Sequence, residues 1–305
     1  MDRRDFLKTV GAVGVGIAAA DASASTAVHA PPDALGVLVD TTACIGCRKC
    51  EWACNQVNEL PVQPLEEFEN KDVFAAMRRP DAGNYTVVNQ WARQEREGNV
   101  WAKVQCLHCN DPACASACLV SALEKQPNGA VKYDAWRCMG CRYCMVACPF
   151  QIPAYQYDDA FSPEVRKCTF CIERISAGER PGCVEICPVE CLIYGKRDEL
   201  LTLAHERIGA YPGRYVDHVY GEHEVGGTSW LYIAGQPFTS LGLPELGEQS
   251  PARITENIQH GIFRRFIAPV ALYATLAQVM WLGSRKDEVA AAAQKAEQPG
   301  EEHHE

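Results

Sequence analysis

The sequence lacks an excess of positive charge: 29 Lys and Arg stand against 39 Asp and Glu, a net of −10. That balance excludes a basic face of the kind nucleic-acid phosphates need. It also lacks a glycine-rich dinucleotide loop, a nucleophile motif and any metal-ligand constellation beyond its cysteines, so an enzyme with its own substrate site has no residues to carry it. What is present is a chain of 305 residues, 47% hydrophobic and 22% charged, which is ample for a globular core. It also holds 17 cysteines, far more than packing requires.

Sixteen of these fall into four quartets. The first is Cys44, Cys47, Cys50 and Cys54; the second is Cys106, Cys109, Cys114 and Cys118. The third, Cys138, Cys141, Cys144 and Cys148 followed by Pro149, has the spacing of the bacterial ferredoxin run. The fourth is spread out as Cys168, Cys171, Cys183 and Cys187 followed by Pro188. Three thiolates on a tight loop wrap three corners of a cubane 4Fe-4S cluster, whereas the fourth, one helical turn on, ligates the other cluster of a pair. Zinc knuckles use paired Cys-x-x-Cys units and do not need three cysteines within eight residues. A disulfide framework leaves the ferredoxin spacing unexplained. Cys191 is left over and reads as a packed thiol, and His108 lies inside a loop whose cysteines already complete a ligand set.

The fold class expected is α+β, with two ferredoxin-like dicluster units. Asn128-Gly129 marks a hairpin turn before the third quartet. Residues 35–40 form the strand before the first. The second and third quartets are close enough in sequence to form one unit, which leaves the first and fourth for the other. Residues 31–245 make the four-cluster domain, into which residues 55–105 insert as a cysteine-free surface subdomain containing a strand near Tyr85 to Trp91. A strand over residues 193–195, a helix from Asp198 to Ile208 capped by Asp198 and a strand over residues 230–234 follow. Arg48, Lys49, Arg142, Arg166 and Lys167 flank cluster loops, where positive charge would raise the potential.

The four quartets from Cys44 to Pro188 resemble the iron–sulfur subunits of membrane-bound hydrogenase, formate dehydrogenase, dimethyl sulfoxide reductase and polysulfide reductase complexes. The segments Cys138-Met139-Gly140-Cys141-Arg142-Tyr143-Cys144 and Pro181-Gly182-Cys183-Val184-Glu185, with residues 220–222, 226–228 and 256–260, are most similar to the electron-transfer subunits of nickel–iron hydrogenase. The resemblance implies four 4Fe-4S clusters. In it Cys44, Cys47 and Cys50 take Cys187, and Cys168, Cys171 and Cys183 take Cys54. Likewise Cys106, Cys109 and Cys114 take Cys148, and Cys138, Cys141 and Cys144 take Cys118. It also implies a relay between a periplasmic catalytic subunit, a nickel–iron hydrogenase or else a molybdopterin oxidoreductase, and an integral membrane quinone-reactive subunit. A structural role for the clusters in an assembly factor is the non-redox alternative.

The ends carry address signals. Arg3-Arg4-Asp5-Phe6-Leu7-Lys8 and the small apolar run after it resemble a twin-arginine export signal over residues 1–30. After a linker over 246–262, Phe266 to Leu282 is free of formal charge, and residues 263–284 read as a transmembrane helix with its N-terminus outside. Residues 285–305 read as a disordered tail. The protein would then work on the periplasmic side of the cytoplasmic membrane. The purified holoprotein is expected to carry about 16 irons and about 16 acid-labile sulfides. Stoichiometric zinc with little labile sulfide in a metal analysis would remove the cluster reading.

Overall fold

The structure is a computed structural model that describes residues 30–31, 33–94, 97–252 and 267–296. The paired arginines of the export signal and the segment 253–266 lie outside the described residues. In chain order the strands are β1 (Leu35–Asp40), β2 (Thr86–Ala92), β3 (Asn99–Gln105), β4 (Leu123–Lys125), β5 (Val131–Tyr133), β6 (Ala154–Tyr155), β7 (Val165–Arg166), β8 (Leu192–Lys196) and β9 (Trp230–Ile233). The α-helices are α1 (Lys49–Val57), α2 (Ala113–Ser116), α3 (Tyr143–Ala147), α4 (Ile172–Ser176), α5 (Gly182–Glu185), α6 (Arg197–Ala210) and α7 (Ile267–Ala296).

β1 reads Leu-Gly-Val-Leu-Val-Asp, apolar on both faces, and it is the centre of a three-stranded sheet in the order β8-β1-β9. It runs antiparallel to β8 and parallel to β9, with Val37 opposite Tyr194 on one side and Trp230 on the other. Alternation along the strand divides two cores. Val37 and Val39, with Trp230 and Tyr232 of β9, face the cysteine-lined interior. Leu38, with Leu231 and Ile233, faces Leu200 and Ala204 of α6. Asp198 sits in the first turn of α6, where an acid favours the helix dipole; the N-cap is Lys196 and makes no side-chain cap bond, which corrects the expected cap. The β4–β5 hairpin turns at Gly129 with φ 91°, and a Cβ there would meet the Leu35 carbonyl at 2.7 Å. Its tip is pinned to β1 by the Leu35 N–H donating to the Asn128 carbonyl at 3.2 Å.

Residues 55–105 are not the peripheral subdomain expected from their lack of cysteine. β2 and β3 form an antiparallel hairpin whose Val87, Val88, Ala102, Lys103 and Gln105 are buried. The hairpin is tied to α1 through Glu51, only 1% exposed. Glu51 Oε1 accepts from the Val88 N–H at 2.6 Å and from Arg78 at 2.6 Å, while Oε2 accepts from Arg48 at 3.2 Å. Arg48 also donates to the Asn70 carbonyl at 3.1 Å and lies over the Phe68 ring. One carboxylate therefore fixes the helix, the hairpin and the intervening loop.

α7 belongs to a second unit that begins at Ala252. It is helical as far as Ala296, so twelve residues of the expected tail, 285–296, are helical. Among the described residues no helix is long and apolar enough to cross a membrane. The expected spanning helix over 263–284 is therefore not supported among the described residues, and its first four residues, 263–266, lie outside them; its charge-free stretch is close to the lower length limit of about 17 residues and runs on without a break into Arg285, Lys286, Asp287 and Glu288. Glu51→Ala should lower the stability of the main unit by about 3–5 kcal/mol, the cost of leaving buried cations unpaired. Denaturant titration checks this, and a loss below about 1 kcal/mol would place the anchoring elsewhere.

Candidate metal centre

Four cysteine loops share one backbone. Before the second cysteine of the first and third loops stand Gly46 (φ 66°) and Gly140 (φ 72°), and after it Arg48 and Arg142, both at φ 60°. In the other two loops the glycine's place is taken by His108 (φ 51°) and Phe170 (φ 59°). A left-handed conformation costs a residue with a side chain roughly 1–2 kcal/mol. Both residues are buried and their rings lie 5.0 Å apart, so tertiary packing holds them there. Such turns aim successive N–H groups into a concavity suited to an anionic group. At Gly46 packing adds a second demand, since a Cβ would lie 2.4 Å from the Trp101 ring.

The fold then gathers cysteines far apart in sequence. Cys44 and Cys47 lie within electrostatic reach of Cys187, and Cys50 within reach of Cys44. Cys54 lies among Cys168, Cys171 and Cys183. Cys109 and Cys114 both face Cys106 and Cys148. Cys144 faces Cys118, Cys138 and Cys141. α1 packs on α5 as α2 packs on α3. Across sets, Cys50 lies within electrostatic reach of Cys183, Cys168 of Cys106, and Cys114 of Cys144. Among the described residues no three His, Cys, Asp or Glu side chains are close enough together to hold one metal ion. Cys44, Cys47, Cys50 and Cys187 line one common void.

Several donors already aim at sulfur. The Ala122 N–H donates to Cys118 Sγ at 3.2 Å, the Phe170 N–H to Cys168 Sγ at 3.4 Å, and Asn58 Nδ2 to Cys54 Sγ at 3.6 Å. Bonds of this kind stabilise a reduced, more negative cluster. Cys191 is buried as expected of a packed thiol, but its Sγ lies 3.5 Å from that of Cys187.

Residues 99–197 match the family model of a 4Fe-4S dicluster domain. The chain is 36% identical to the hydrogenase-2 operon protein HybA of Escherichia coli O157:H7, with 94% of this chain and 97% of that protein covered. The chain belongs to the HybA-like family of iron–sulfur subunits. A protein of Nitratidesulfovibrio vulgaris is 51% identical over 84% of this chain and 70% of its own length. The iron-sulfur subunit of the nitrate-inducible formate dehydrogenase of Escherichia coli K12 is 35% identical over 68% of this chain and 71% of its own. The cofactors of this HybA-like subunit are four 4Fe-4S clusters, and the thiol donors, the inward N–H groups and the void at the first loop fit them.

Of the charges the sequence singled out, Lys49 acts on Cys47 and Lys167 on Cys114, whereas the three arginines are engaged elsewhere. Arg48 is taken up by Glu51, Arg166 pairs with Glu164 at 3.4 Å, and Arg142 lies over Tyr155 and Tyr157 at the surface. Lys167 does turn inward, donating to the Val131 and Cys168 carbonyls at 2.6 and 3.2 Å. The cation the sequence did not reveal is Lys103 of β3, 3% exposed. Its alternation in a strand reads as an outward lysine, and only the hairpin's burial shows otherwise. Nζ donates to Gln105 Oε1 at 2.9 Å and lies 4.4 Å from the Trp230 ring centre. Burial opposes its charge, but Cys183, Cys50, Cys168 and Cys54 outweigh that and hold its pKa above the usual lysine value. Lys125 is different: burial takes it down to about 8 despite Cys109 and Cys106. Burial also pushes the thiols of Cys144 and Cys171 up to about 11 and that of Cys168 up to about 12. Iron must therefore displace protons that these sites otherwise retain.

The cysteines that act most on Lys103 belong to two of the sets, so its effect on redox potential should be largest there. Lys103→Met is expected to move the potentials of two of the four clusters to more negative values and leave two unchanged, read by EPR-monitored redox titration. An equal shift of all four, or of none, would remove Lys103 from the electrostatics of the site.

Proposed function

We propose that this subunit relays single electrons along a row of cysteine sets, with Cys138, Cys141, Cys144 and Cys118 at one end and Cys44, Cys47, Cys50 and Cys187 at the other. In this reading the sixteen cysteines are the iron ligands in the sets given above. When bound, the clusters supply one-electron redox steps at spacings short enough for hopping. The observation that supports the reading is the succession of neighbouring cysteine sets, with one fully buried set inside it and an exposed cysteine at one end. Cys54, Cys168, Cys171 and Cys183 are all buried, whereas Cys141 is exposed. Near Cys141 in the chain, large apolar side chains are exposed: Trp136 is 93% exposed and Val146 80%, with Met139 and Tyr143 also open, beside the exposed Arg137 and Arg142. At the far end Ile45 and Val189 are exposed beside the first loop. Dry, apolar contact at both ends suits partners that must bring their own redox groups close.

The partners we infer are a nickel–iron hydrogenase on one side and an integral membrane quinone-reactive protein on the other. Coverage of nearly the whole chain by HybA favours the hydrogenase over a formate dehydrogenase, whose iron–sulfur subunit matches about two thirds of the chain. The address we infer is the periplasmic face of the membrane, supported by Arg3-Arg4 and by the need to load clusters before export.

A relay is needed for quinone-linked oxidation and not for reduction of a dye that takes electrons from the catalytic subunit. In the assembled complex, Cys144→Ser should abolish most hydrogen-dependent quinone reduction and leave dye reduction within about twofold, a difference in barrier below about 0.5 kcal/mol. Equal loss of both activities, with co-purification showing the complex intact, would overturn the relay in favour of a direct catalytic part.

A further inference from the structure

The fifth thiol at the first cysteine set has a place that packing alone does not explain. Each quartet ends in a cysteine followed four residues later by Asn58, Ala122, Ile152 or Cys191. The first two of these donate N–H groups to the sulfur they follow. Only the last brings a second sulfur. After Cys187 the chain turns at Glu190, φ 48°, whose N–H donates to the Cys187 carbonyl at 3.3 Å. That turn returns Cys191 to within 3.5 Å of Cys187, sulfur to sulfur. Cys191 is also held from behind, its carbonyl accepting the Asp40 N–H at 2.8 Å. Its thiol lines the same void as Cys44, Cys47, Cys50 and Cys187 and is 5% exposed, whereas Cys187 is only partly buried.

We propose that Cys191 is a reserve ligand for the cluster held by Cys44, Cys47 and Cys50, able to take the iron corner of Cys187. The inference rests on the ligand sets proposed above. Exchange moves one iron–thiolate bond from Cys187 Sγ to Cys191 Sγ and one proton from Cys191 Sγ to Cys187 Sγ. No electron enters or leaves, and the contact between the two sulfurs provides the proton's path, so no outside acid or base is required. The cluster set nearest the surface at this end thereby keeps four thiolates when its least protected bond opens.

Iron counting on the purified full-length subunit tests this. Cys187→Ala should retain the full iron content with an altered EPR signature of one cluster, and Cys187→Ala with Cys191→Ala together should lose one quarter of the iron. Loss of that quarter from Cys187→Ala alone overturns the reserve role. Full iron in the double variant overturns the ligand assignment of Cys187 itself, and so the two failures are told apart. Where Cys187→Ala does not fold, anaerobic alkylation of the otherwise native protein with iodoacetamide gives the second measurement. Labelling at Cys187, mapped by mass spectrometry, should leave iron unchanged when Cys191 is present and release one quarter of it in Cys191→Ala. Equal iron release in both proteins overturns the proposal.

Discussion

In the ligand sets we propose, one constraint governs the rest: each set takes three thiols from one loop and its fourth from a distant segment. There Cys54 and Cys187 exchange places between the first and last loops, and Cys118 and Cys148 between the middle two, an arrangement supported by the electrostatic neighbours of these thiols. Cys54 lies within α1, and Cys118, Cys148 and Cys187 follow within two residues of the ends of α2, α3 and α5. The packing of α1 on α5 and of α2 on α3, the central position of β1 and the burial of the β2–β3 hairpin all serve that exchange. It also brings neighbouring sets close, which is the property a relay uses.

Around the sulfurs the protein balances two opposing demands. Burial makes a thiol hold its proton and makes an added negative charge expensive. N–H groups from Ala122, Phe170 and Asn58, and the ammonium of Lys103, offset that cost without admitting water. Lys103 is itself tolerated in the interior because sulfur charge surrounds it and the Trp230 ring covers it. The charges that spacing alone suggested, Arg48 and Arg142, are spent on Glu51 and on tyrosine rings.

Local rules recovered much of this molecule. β1, the Asn128-Gly129 hairpin, the strands of β2 and β8 and the helix of α6 were legible from periodicity and turn residues, and the quartets from spacing. What depended on distant partners was not legible. The parallel pairing of β1 with β9 joins residues almost two hundred positions apart. The inward turn of Lys103 depends on which face of a hairpin the fold covers. His108 and Phe170 adopt a conformation their own preferences oppose, and the signal was present only by analogy with Gly46 and Gly140 in the sister loops. The run before Arg285 reads as an anchor from its uncharged length, and the helix that contains it continues to Ala296.

The central strand has a consequence for the order in which the chain is made. β1 leaves the ribosome among the first described residues, yet both of its neighbours come late, β8 from residue 192 and β9 from residue 230. Long-range pairing of this kind is slow because loop closure precedes any return in hydrogen bonds. The apolar Val37-Leu38-Val39 edge therefore waits, unpaired on both sides, through most of synthesis. Such an edge recruits other strands, which makes a nascent chain of this protein a substrate for a chaperone that covers extended apolar segments until residue 233 has emerged.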